Sequence, residues 1–385
     1  MSKWEWKEFE DCIERVKYTT KIPSKDYLQE GEFPIVSQED CLISGYWNDR
    51  SDLFKVTKPI VIFGDHTKVL KYIDFDFVLG ADGVKILCPK DYLNAHFFFY
   101  FLKSVNFDNL GYARHYRLLK ELSVPIPPLS EQKRIVKFLD EEFSKIDTLK
   151  TNAETNLKNA KELFETTLEK ELNPLSRHSE RSEESSAELP SGWEWKTLGD
   201  VCEKISDGSH NPPKGTAANE YKMLSSKNIF NDSLNFDDPR FLTKEEFDLE
   251  NKRTNVKKGD ILLTIVGTIG RCCVFLEDEP VVFQRSVAVL KPNVSLVYSR
   301  FLMYGIIALN IEKLGRGAAQ KGVYLKQLSN ISIPLPPLSV QKEIVARLDK
   351  LSENVKRLEA NYKQIIANCD ELKKSILKKT FEGES

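Results

Sequence analysis

The chain lacks most features that would quickly assign it to a class. Among 385 residues, 56 Lys+Arg nearly balance 58 Asp+Glu, and the resulting net charge of −2 gives no sign of nucleic-acid binding at the level of composition. No apolar run approaches the ~18 residues needed to span a bilayer. The first residues also lack the apolar segment of a secretory signal. We therefore expect a cytoplasmic protein.

Residues that commonly bind metals are few and poorly spaced. The seven cysteines contain no C-x-x-C pair, and the five histidines show no ligand spacing. We predict no metal site and no cofactor. An odd number of cysteines in a chain of this length is typical of buried free thiols in a reducing compartment.

What the sequence does contain is an internal repeat. The tetrad Trp-Glu-Trp-Lys at Trp4–Lys7 returns at Trp193–Lys196, an offset of 189 residues. A proline motif that begins at Pro125 returns at Pro334, an offset of 209, and 11 of its 16 positions are identical. The two halves therefore share one plan, a module followed by a helix, with about 20 extra residues in the second module.

Each proline motif leads into a long predicted helix with heptad spacing of apolar residues. In the first helix this ladder is interrupted by polar Glu142, Asn156 and Thr167. The core of a helical bundle is the alternative interpretation, but neither half offers other long helices. Two copies related by a two-fold axis must pair their helices antiparallel, with a module at each end. The predicted pairing residues are Leu139, Ile146, Leu149, Leu348, Leu351, Val355, Leu358, Ile365 and Leu372.

The modules combine β-type runs with short apolar helices, which predicts an α+β organisation. Strands are expected at 59–65, 83–87 and 259–267, and helices at 95–103 and 298–309. The predicted segments are a module over 1–128, a helix over 129–172, a flexible polar linker over 173–190, a module over 191–337 and a helix over 338–385.

Three short motifs resemble catalytic signatures but lack essential parts. Asn211–Lys214 is similar to the N-P-P-aromatic motif of amino-methyltransferases, yet Lys214 replaces the aromatic residue. Val266–Gly270 lacks the full glycine pattern of a nucleotide-binding turn and is followed by a predicted strand. Asp207 with Glu220–Lys222 has the residue types of a metal-dependent nuclease, but the first half has no counterpart. We predict no catalytic residues.

The doubled order of Trp-x-Trp, variable module, Pro-x-Pro-Pro-Leu-Ser-x-Gln-Lys motif and heptad helix resembles the specificity (S) subunit of type I restriction-modification enzymes. The resemblance covers essentially the whole chain. It implies two α/β target recognition domains separated by two long antiparallel coiled-coil helices, with an internal pseudo-two-fold repeat. It also implies that each domain reads one half of a bipartite site in double-stranded DNA. The helices would set the spacer and dock two methyltransferase (M) subunits, and restriction (R) subunits would complete a nuclease in which the S subunit is not catalytic.

Candidate DNA contacts are basic and amide residues near predicted loops, because Arg pairs with guanine and Gln with adenine in the major groove. Those of the first module are His66, Lys68, Arg114, His115 and Arg117. Those of the second module are Ser209, His210, Asn211, Lys214, Lys227, Arg271, Arg316, Gln320 and Lys321.

Two other functions remain open at the level of sequence. One is a coiled-coil scaffold that joins two protein-binding domains without DNA. The other is an enzyme in its own right, including an S-like subunit of a fused restriction-methylation enzyme, although no cofactor motif supports it.

Overall fold

The computed structural model describes residues 4–81, 83–107, 114–173, 189–314 and 322–382. The chain divides into two compact units. Unit 1 comprises Met1–Asn156 and Asn361–Ser385, and unit 2 comprises Leu157–Ala360. Each unit therefore combines one module with the beginning of one long helix and the end of the other. Residues 174–188 of the predicted linker lie outside the described residues.

The described residues of unit 1 form ten strands and three short helices before its long helix. The strands are β1 (Glu5–Glu8), β2 (Ile13–Glu14), β3 (Phe33–Val36), β4 (Gly45–Trp47), β5 (Leu53–Phe54), β6 (Ile60–Gly64), β7 (Leu70–Ile73), β8 (Phe77–Leu79), β9 (Val84–Pro89) and β10 (Ser123–Ile126). The helices are α1 (Phe9–Cys12), α2 (Ala95–Ser104), α3 (Tyr116–Lys120) and the long α4 (Leu129–Leu172), whose last part belongs to unit 2.

The described part of unit 2 follows a similar order with one additional strand and one additional helix, α6. Its strands are β11 (Glu194–Thr197), β12 (Cys202–Asp207), β13 (Lys222–Leu224), β14 (Ile229–Phe230), β15 (Ser233–Leu234), β16 (Arg240–Phe241), β17 (Ile261–Thr264), β18 (Cys272–Val274), β19 (Val281–Phe283), β20 (Val287–Pro292) and β21 (Ser332–Leu335). Its helices are α5 (Leu198–Val201), α6 (Lys244–Thr254), α7 (Ser299–Ala308), α8 (Leu325–Ser329) and the long α9 (Leu338–Glu382), whose last part belongs to unit 1.

Equivalent strands form equivalent sheets in the two units. The order β2-β9-β6-β7 in unit 1 matches β12-β20-β17-β18 in unit 2. The repeated Trp tetrad pairs antiparallel with the repeated proline motif in both, through β1-β10 and β11-β21. This pairing explains why the two motifs recur together although more than 100 residues separate them. The predicted fold class is confirmed: two mixed helix-and-sheet modules, an internal repeat and two long helices.

The end of each long helix completes the core of the module in its own unit. In unit 1, Leu377 and Phe381 of α9 join the core that contains Phe97 and Phe101. In unit 2, Leu168 and Leu172 of α4 join the core around α7. Ion pairs join the two helices at three places, Lys150–Asp370 and Asp147–Lys373 in unit 1 and Glu171–Arg347 in unit 2. Along these pairs the residue number rises on α4 while it falls on α9. The two helices are thus antiparallel.

Six of the nine predicted pairing residues are buried or half-buried, and three are exposed. Leu139, Ile146, Leu348 and Val355 are buried, as expected, and Leu351 and Ile365 are half-buried. The prediction is wrong for Leu149, Leu358 and Leu372, which are 51%, 38% and 47% exposed.

Two aromatic residues of α4 face the modules. Phe143 and Phe164 are half-buried, and Phe143 contacts Tyr100 of α2 while Phe164 contacts Tyr304 of α7. Among the polar residues of the predicted ladder, Asn156 is exposed, whereas Glu142 and Thr167 are half-buried.

Six of the seven cysteines are buried free thiols, as predicted, and Cys41 is the exception because it is exposed. None of the described helices combines the length and apolar character that crossing a bilayer requires.

Candidate nucleic-acid interface

In unit 1, one buried carboxylate holds three chain segments together. Asp65 follows β6, and its backbone N–H donates to the Gly83 carbonyl at 2.7 Å. Its carbonyl accepts from the His115 N–H at 2.7 Å, and its Oδ1 accepts from the Tyr116 N–H at 2.8 Å. The β6-β7 turn and the segment that begins at Arg114 are therefore neighbours, although about 50 residues separate them in sequence.

A fourth segment, the loop 37–41 after β3, is bonded to the same turn. Gln38 Oε1 accepts from the His66 N–H at 3.2 Å, and its carbonyl accepts from Thr67 Oγ1 at 2.6 Å. The buried Lys71 ammonium donates to the carbonyls of Ser37 and Cys41, so both ends of this loop are held. Burial lowers the pKa of Lys71. Sequence reasoning missed Gln38, because only the fold brings it beside His66.

The predicted residues of unit 1 differ in accessibility. Arg114 and Arg117 are exposed, and His66 and Lys68 are half-buried on the β6-β7 turn. His115 is fully buried, with Nδ1 3.0 Å from the Asp65 carbonyl. A buried ring has no surface for a base contact, so this candidate is corrected to a residue that supports the loops.

Unit 2 joins the corresponding segments by backbone hydrogen bonds. The Ser209 N–H donates to the Phe283 carbonyl, and the Arg285 N–H donates to the Ser209 carbonyl, both at 2.8 Å. Ser209 is buried, so it holds the loop in place instead of offering its hydroxyl to DNA. The neighbouring His210, Asn211 and Arg285 are exposed. Arg285 is a further candidate that sequence reasoning missed.

Further bonds tie the remaining loops of unit 2 to this one. The Ser226 N–H donates to Ser286 Oγ at 3.1 Å, and the Ile265 N–H donates to the Ser286 carbonyl at 2.9 Å. The Val323 N–H in turn donates to the Ile265 carbonyl at 2.9 Å, as His115 does to Asp65 in unit 1. The two units thus build the same network of loops, which we call the loop face. It contains 37–41, 65–68, 83 and 114–117 in unit 1, and 207–211, 224–228, 265–271, 283–286 and 322–323 in unit 2.

The other predicted residues of unit 2 are placed as follows. Lys214 and Lys227 are exposed, and Lys227 Nζ pairs with Asp238 at 2.5 Å. Arg271 is half-buried, with its guanidinium 5.2 Å from the centre of the Phe230 ring. Arg316, Gln320 and Lys321 lie outside the described residues, and the described chain resumes at Gly322, which bridges Val266.

One ionic cluster lies in the loop face of unit 2. His210 Nε2 is 2.6 Å from Asp207 Oδ2, and Arg253 Nη2 donates to Asp207 Oδ1. Burial works to raise the pKa of the Asp207 carboxyl, but the bonds from Arg253 and His210 outweigh it and hold that pKa below its usual range. Asp207 is therefore an ionised carboxylate that already bonds two side chains, His210 and Arg253. Among the described residues, no group of three His, Cys, Asp or Glu is arranged to hold a metal ion.

Comparison with known proteins assigns the family. The model of the type I restriction modification DNA specificity domain matches residues 1–159 and 190–367, which is both halves of the repeat. The chain belongs to this family. It is a DNA specificity subunit of the type I restriction-modification class, as the repeated motifs predicted.

Curated relatives and solved structures agree with this assignment. The specificity subunit of the type I restriction enzyme EcoBI from Escherichia coli is 26% identical over 361 residues, which cover 88% of this chain and 75% of that protein. That of MjaVIII from Methanocaldococcus jannaschii is 24% identical and covers 99% of this chain and 92% of that protein.

Two solved structures share the fold. A chain from a type I R-M system aligns with a TM-score of 0.71 at 19% identity, over 100% of this chain and 98% of that chain. The HsdS subunit from Thermoanaerobacter tengcongensis aligns at 0.55 and 21% identity, over 99% of this chain and 97% of that chain.

Proposed function

We propose that the loop face of each unit binds one half of a bipartite site in double-stranded DNA, and that the chain itself catalyses no reaction. The observation that carries this proposal is the repetition of the loop face. In both units a backbone hydrogen bond joins the residue after the central strand, β6 or β17, to the segment before the proline motif, from His115 to Asp65 and from Val323 to Ile265. The exposed residues of the two faces differ. A common scaffold with different exposed side chains suits two half-sites of different sequence.

The proposed base or phosphate contacts are the exposed and half-buried residues of the two faces. In unit 1 they are His66, Lys68, Arg114 and Arg117, with Gln38 added. In unit 2 they are His210, Asn211, Lys214, Lys227 and Arg271, with Arg285 added, together with Arg316, Gln320 and Lys321 from outside the described residues. A net charge of −2 is compatible with this function, because phosphate contacts need local cations rather than a basic chain.

The long helices are the proposed docking sites for two methyltransferase subunits. Each unit exposes two leucines of the long helices, Leu149 and Leu372 in unit 1 and Leu358 and Leu163 in unit 2. The 209-residue offset of the repeat relates Leu149 to Leu358 and Leu163 to Leu372. An apolar side chain exposed at the same place in both copies of a repeat supports two copies of one partner. Restriction subunits would join this assembly in the cytoplasm. The EcoBI relative is the specificity subunit of a type I restriction enzyme, which is consistent with such a complex.

The deciding experiment is methylome sequencing of the host with and without this gene. One split motif, two short sequences joined by a nonspecific spacer, should lose methylation on deletion and regain it on complementation. A methylome that does not change would refute the proposal and favour the scaffold alternative.

A further inference from the structure

Unit 2 has the additional helix α6, which carries Arg253. The contacts of this residue suggest how one base of a half-site is read. We propose that Asp207 and Arg253 are positioning residues that hold the His210 ring so that its Nδ1 accepts a hydrogen bond from an exocyclic amine of adenine or cytosine. The proposal rests on the proposed function, in which unit 2 binds one half-site.

The first step is that the Asp207 carboxylate is buried and bonds two neighbouring side chains. Its side chain lies almost entirely below the surface. One carboxylate oxygen accepts from His210 Nε2, and the other accepts from Arg253 Nη2. Arg253 Nε also donates to the Asp207 carbonyl at 2.8 Å. The carboxylate is thus committed to orienting the two side chains around it.

The second step is that Arg253 is itself held firmly. It lies in the last turn of α6, where the Arg253 carbonyl accepts from Lys204 Nζ at 2.6 Å. Lys291 Nζ donates to the Asn255 carbonyl at 2.7 Å, just beyond the helix end. Two lysines from β12 and β20 therefore fix the end of α6 against the sheet that carries Asp207.

The third step is that the loop between Asp207 and His210 packs closely against the sheet. A Cβ atom at Gly208 would overlap the Phe283 carbonyl, so only glycine allows this approach. Ser209 is bonded on both sides, to Phe283 and Arg285. The ring of His210 is therefore held through its backbone and through Nε2 together.

The orientation of the ring determines its chemistry. A carboxylate can only accept, so Nε2 carries the hydrogen in the bond to Asp207. In the neutral imidazole, Nδ1 is then an acceptor, and the His210 side chain is 53% exposed. In the major groove, an acceptor pairs with the N6 amine of adenine or the N4 amine of cytosine, whereas guanine N7 and O6 and thymine O4 offer no donor.

The described residues of unit 1 contain no equivalent of this arrangement. β5 ends at Phe54 and β6 begins at Ile60, which leaves no room for a helix such as α6. At the offset of the Trp tetrads, Asp207 corresponds to Tyr18, whose hydroxyl accepts from the Ile86 N–H. The effect of disrupting the cluster should therefore be confined to one half-site.

The test uses the full chain assembled with its methyltransferase partner and a duplex that carries the methylated motif. Each adenine or cytosine of the half-site read by unit 2 is replaced in turn by purine or pyrimidin-2-one, which lack the exocyclic amine. In the wild-type complex, one such replacement should weaken binding on the order of 10- to 100-fold. The same replacement should have no further effect on His210→Ala, a surface substitution that spares the fold.

Two variants of α6 examine the positioning role. Arg253→Met should reduce the penalty at that one position to less than about 3-fold, and Arg253→Lys should retain part of it, since an ammonium supplies one donor where the guanidinium supplies several. Lys252→Met removes the same charge from the neighbouring exposed position of α6 and should keep the full penalty.

The possible outcomes separate this proposal from the proposed function. If the bipartite duplex binds but no amine replacement matters, or if Arg253→Met weakens all sequences equally, the positioning proposal is overturned and DNA specificity stands. Equal effects of Lys252→Met and Arg253→Met would also overturn it, because charge alone would then be responsible. If the complex shows no preference for a bipartite site, both proposals are wrong.

Discussion

At the scale of single residues, the glutamine of the repeated proline motif connects each long helix to its module. Gln132 and Gln341 are completely buried. Gln132 Oε1 accepts from the Asn94 N–H at 2.7 Å, and its Nε2 donates to the carbonyls of Tyr92 and Pro127 at 2.9 and 2.8 Å. Gln341 makes the same three bonds, to Tyr298, Leu296 and Pro336. An amide side chain offers the required acceptor and two donors together.

Replacing this glutamine should destabilise the junction far more than replacing its neighbour. Gln132→Leu leaves three buried backbone groups without partners, and we expect the free energy of unfolding to fall by about 2–4 kcal/mol. Lys133→Leu, at the adjacent exposed position, should change it by less than about 0.5 kcal/mol. Chemical denaturation monitored by circular dichroism measures both, and similar losses would contradict the role of the amide.

Cys41 is a natural probe of the loop face in unit 1. It is exposed at the end of the loop 37–41, whereas the other six thiols are buried, and burial raises the pKa of Cys202 and Cys273 to about 12. A thiol reagent should therefore modify one cysteine in the native protein and seven after denaturation.

DNA should slow this modification in a half-site-dependent manner. A duplex with the half-site of unit 1 intact should protect Cys41, and one in which only the half-site of unit 2 is intact should protect it less. Mass spectrometry of labelled peptides gives the rates. Equal rates with and without bound DNA would place Cys41 outside the contact area.

At the scale of secondary-structure elements, two residues of α4 that were both predicted to pair differ in burial, and they provide a matched pair of variants. Ile146 is buried and Leu149, one turn further on, is mostly exposed. Ile146→Ala should lower the free energy of unfolding by about 2–4 kcal/mol, because it leaves a cavity. Leu149→Ala should lower it by less than about 0.5 kcal/mol. Thermal or urea unfolding distinguishes them, and an equally large loss for both variants would restore the ladder read from sequence.

A cavity in unit 2 shows how far the repeat has diverged within one element. In unit 1, the rings of Phe101 and Phe381 pack edge to face at 5.7 Å. Alignment of α2 with α7 from their first residues places Gly305 at the position of Phe101, and the 209-residue offset places Leu172 at the position of Phe381. A cavity of about 170 Å³ remains there beside Trp195. A Cβ atom at Gly305 would meet nothing within 4 Å.

Adding a methyl group in this cavity should stabilise the protein. Gly305 lies inside α7, so Gly305→Ala should raise the free energy of unfolding by about 0.5–1 kcal/mol through helix propensity. Gly259→Ala is the control, since Gly259 has a φ of +91° that an L-residue adopts only with strain, and it should destabilise. The midpoint of unfolding by differential scanning calorimetry should move in opposite directions for the two variants.

At the scale of the whole molecule, each long helix begins in one unit and ends in the other, so helix length connects the two half-sites. We expect that one heptad inserted after Thr155 and one after Gln364, which are equivalent at the 209-residue offset, lengthen both helices by about 10 Å. The DNA spacer should then grow by about three base pairs at 3.4 Å each, while both half-sites stay the same. Methylome sequencing of the strain that carries this variant gives the spacer length and both half-site sequences. An unchanged spacer would refute the idea that helix length sets the spacer.

The sequence by itself determined the repeat, the two long helices, several strands and the family, because these depend on local signals. Heptad spacing, prolines that exclude helix and runs such as Ile60–Gly64 act on residues close together in the chain. The repeated proline motif also makes Gln132 equivalent to Gln341 from sequence alone.

Only the tertiary structure decided which side of each helix is buried and which loops meet. The side of α4 that carries Phe143 is partly covered because this ring contacts Tyr100 of α2, some 40 residues earlier in the chain. Gln38 and Arg285 became candidates, and His115 ceased to be one, because hydrogen bonds between distant segments set their exposure. The cluster of Asp207, His210 and Arg253 joins residues 46 positions apart. Such contacts depend on how elements pack in space, and no local pattern in the chain encodes that packing.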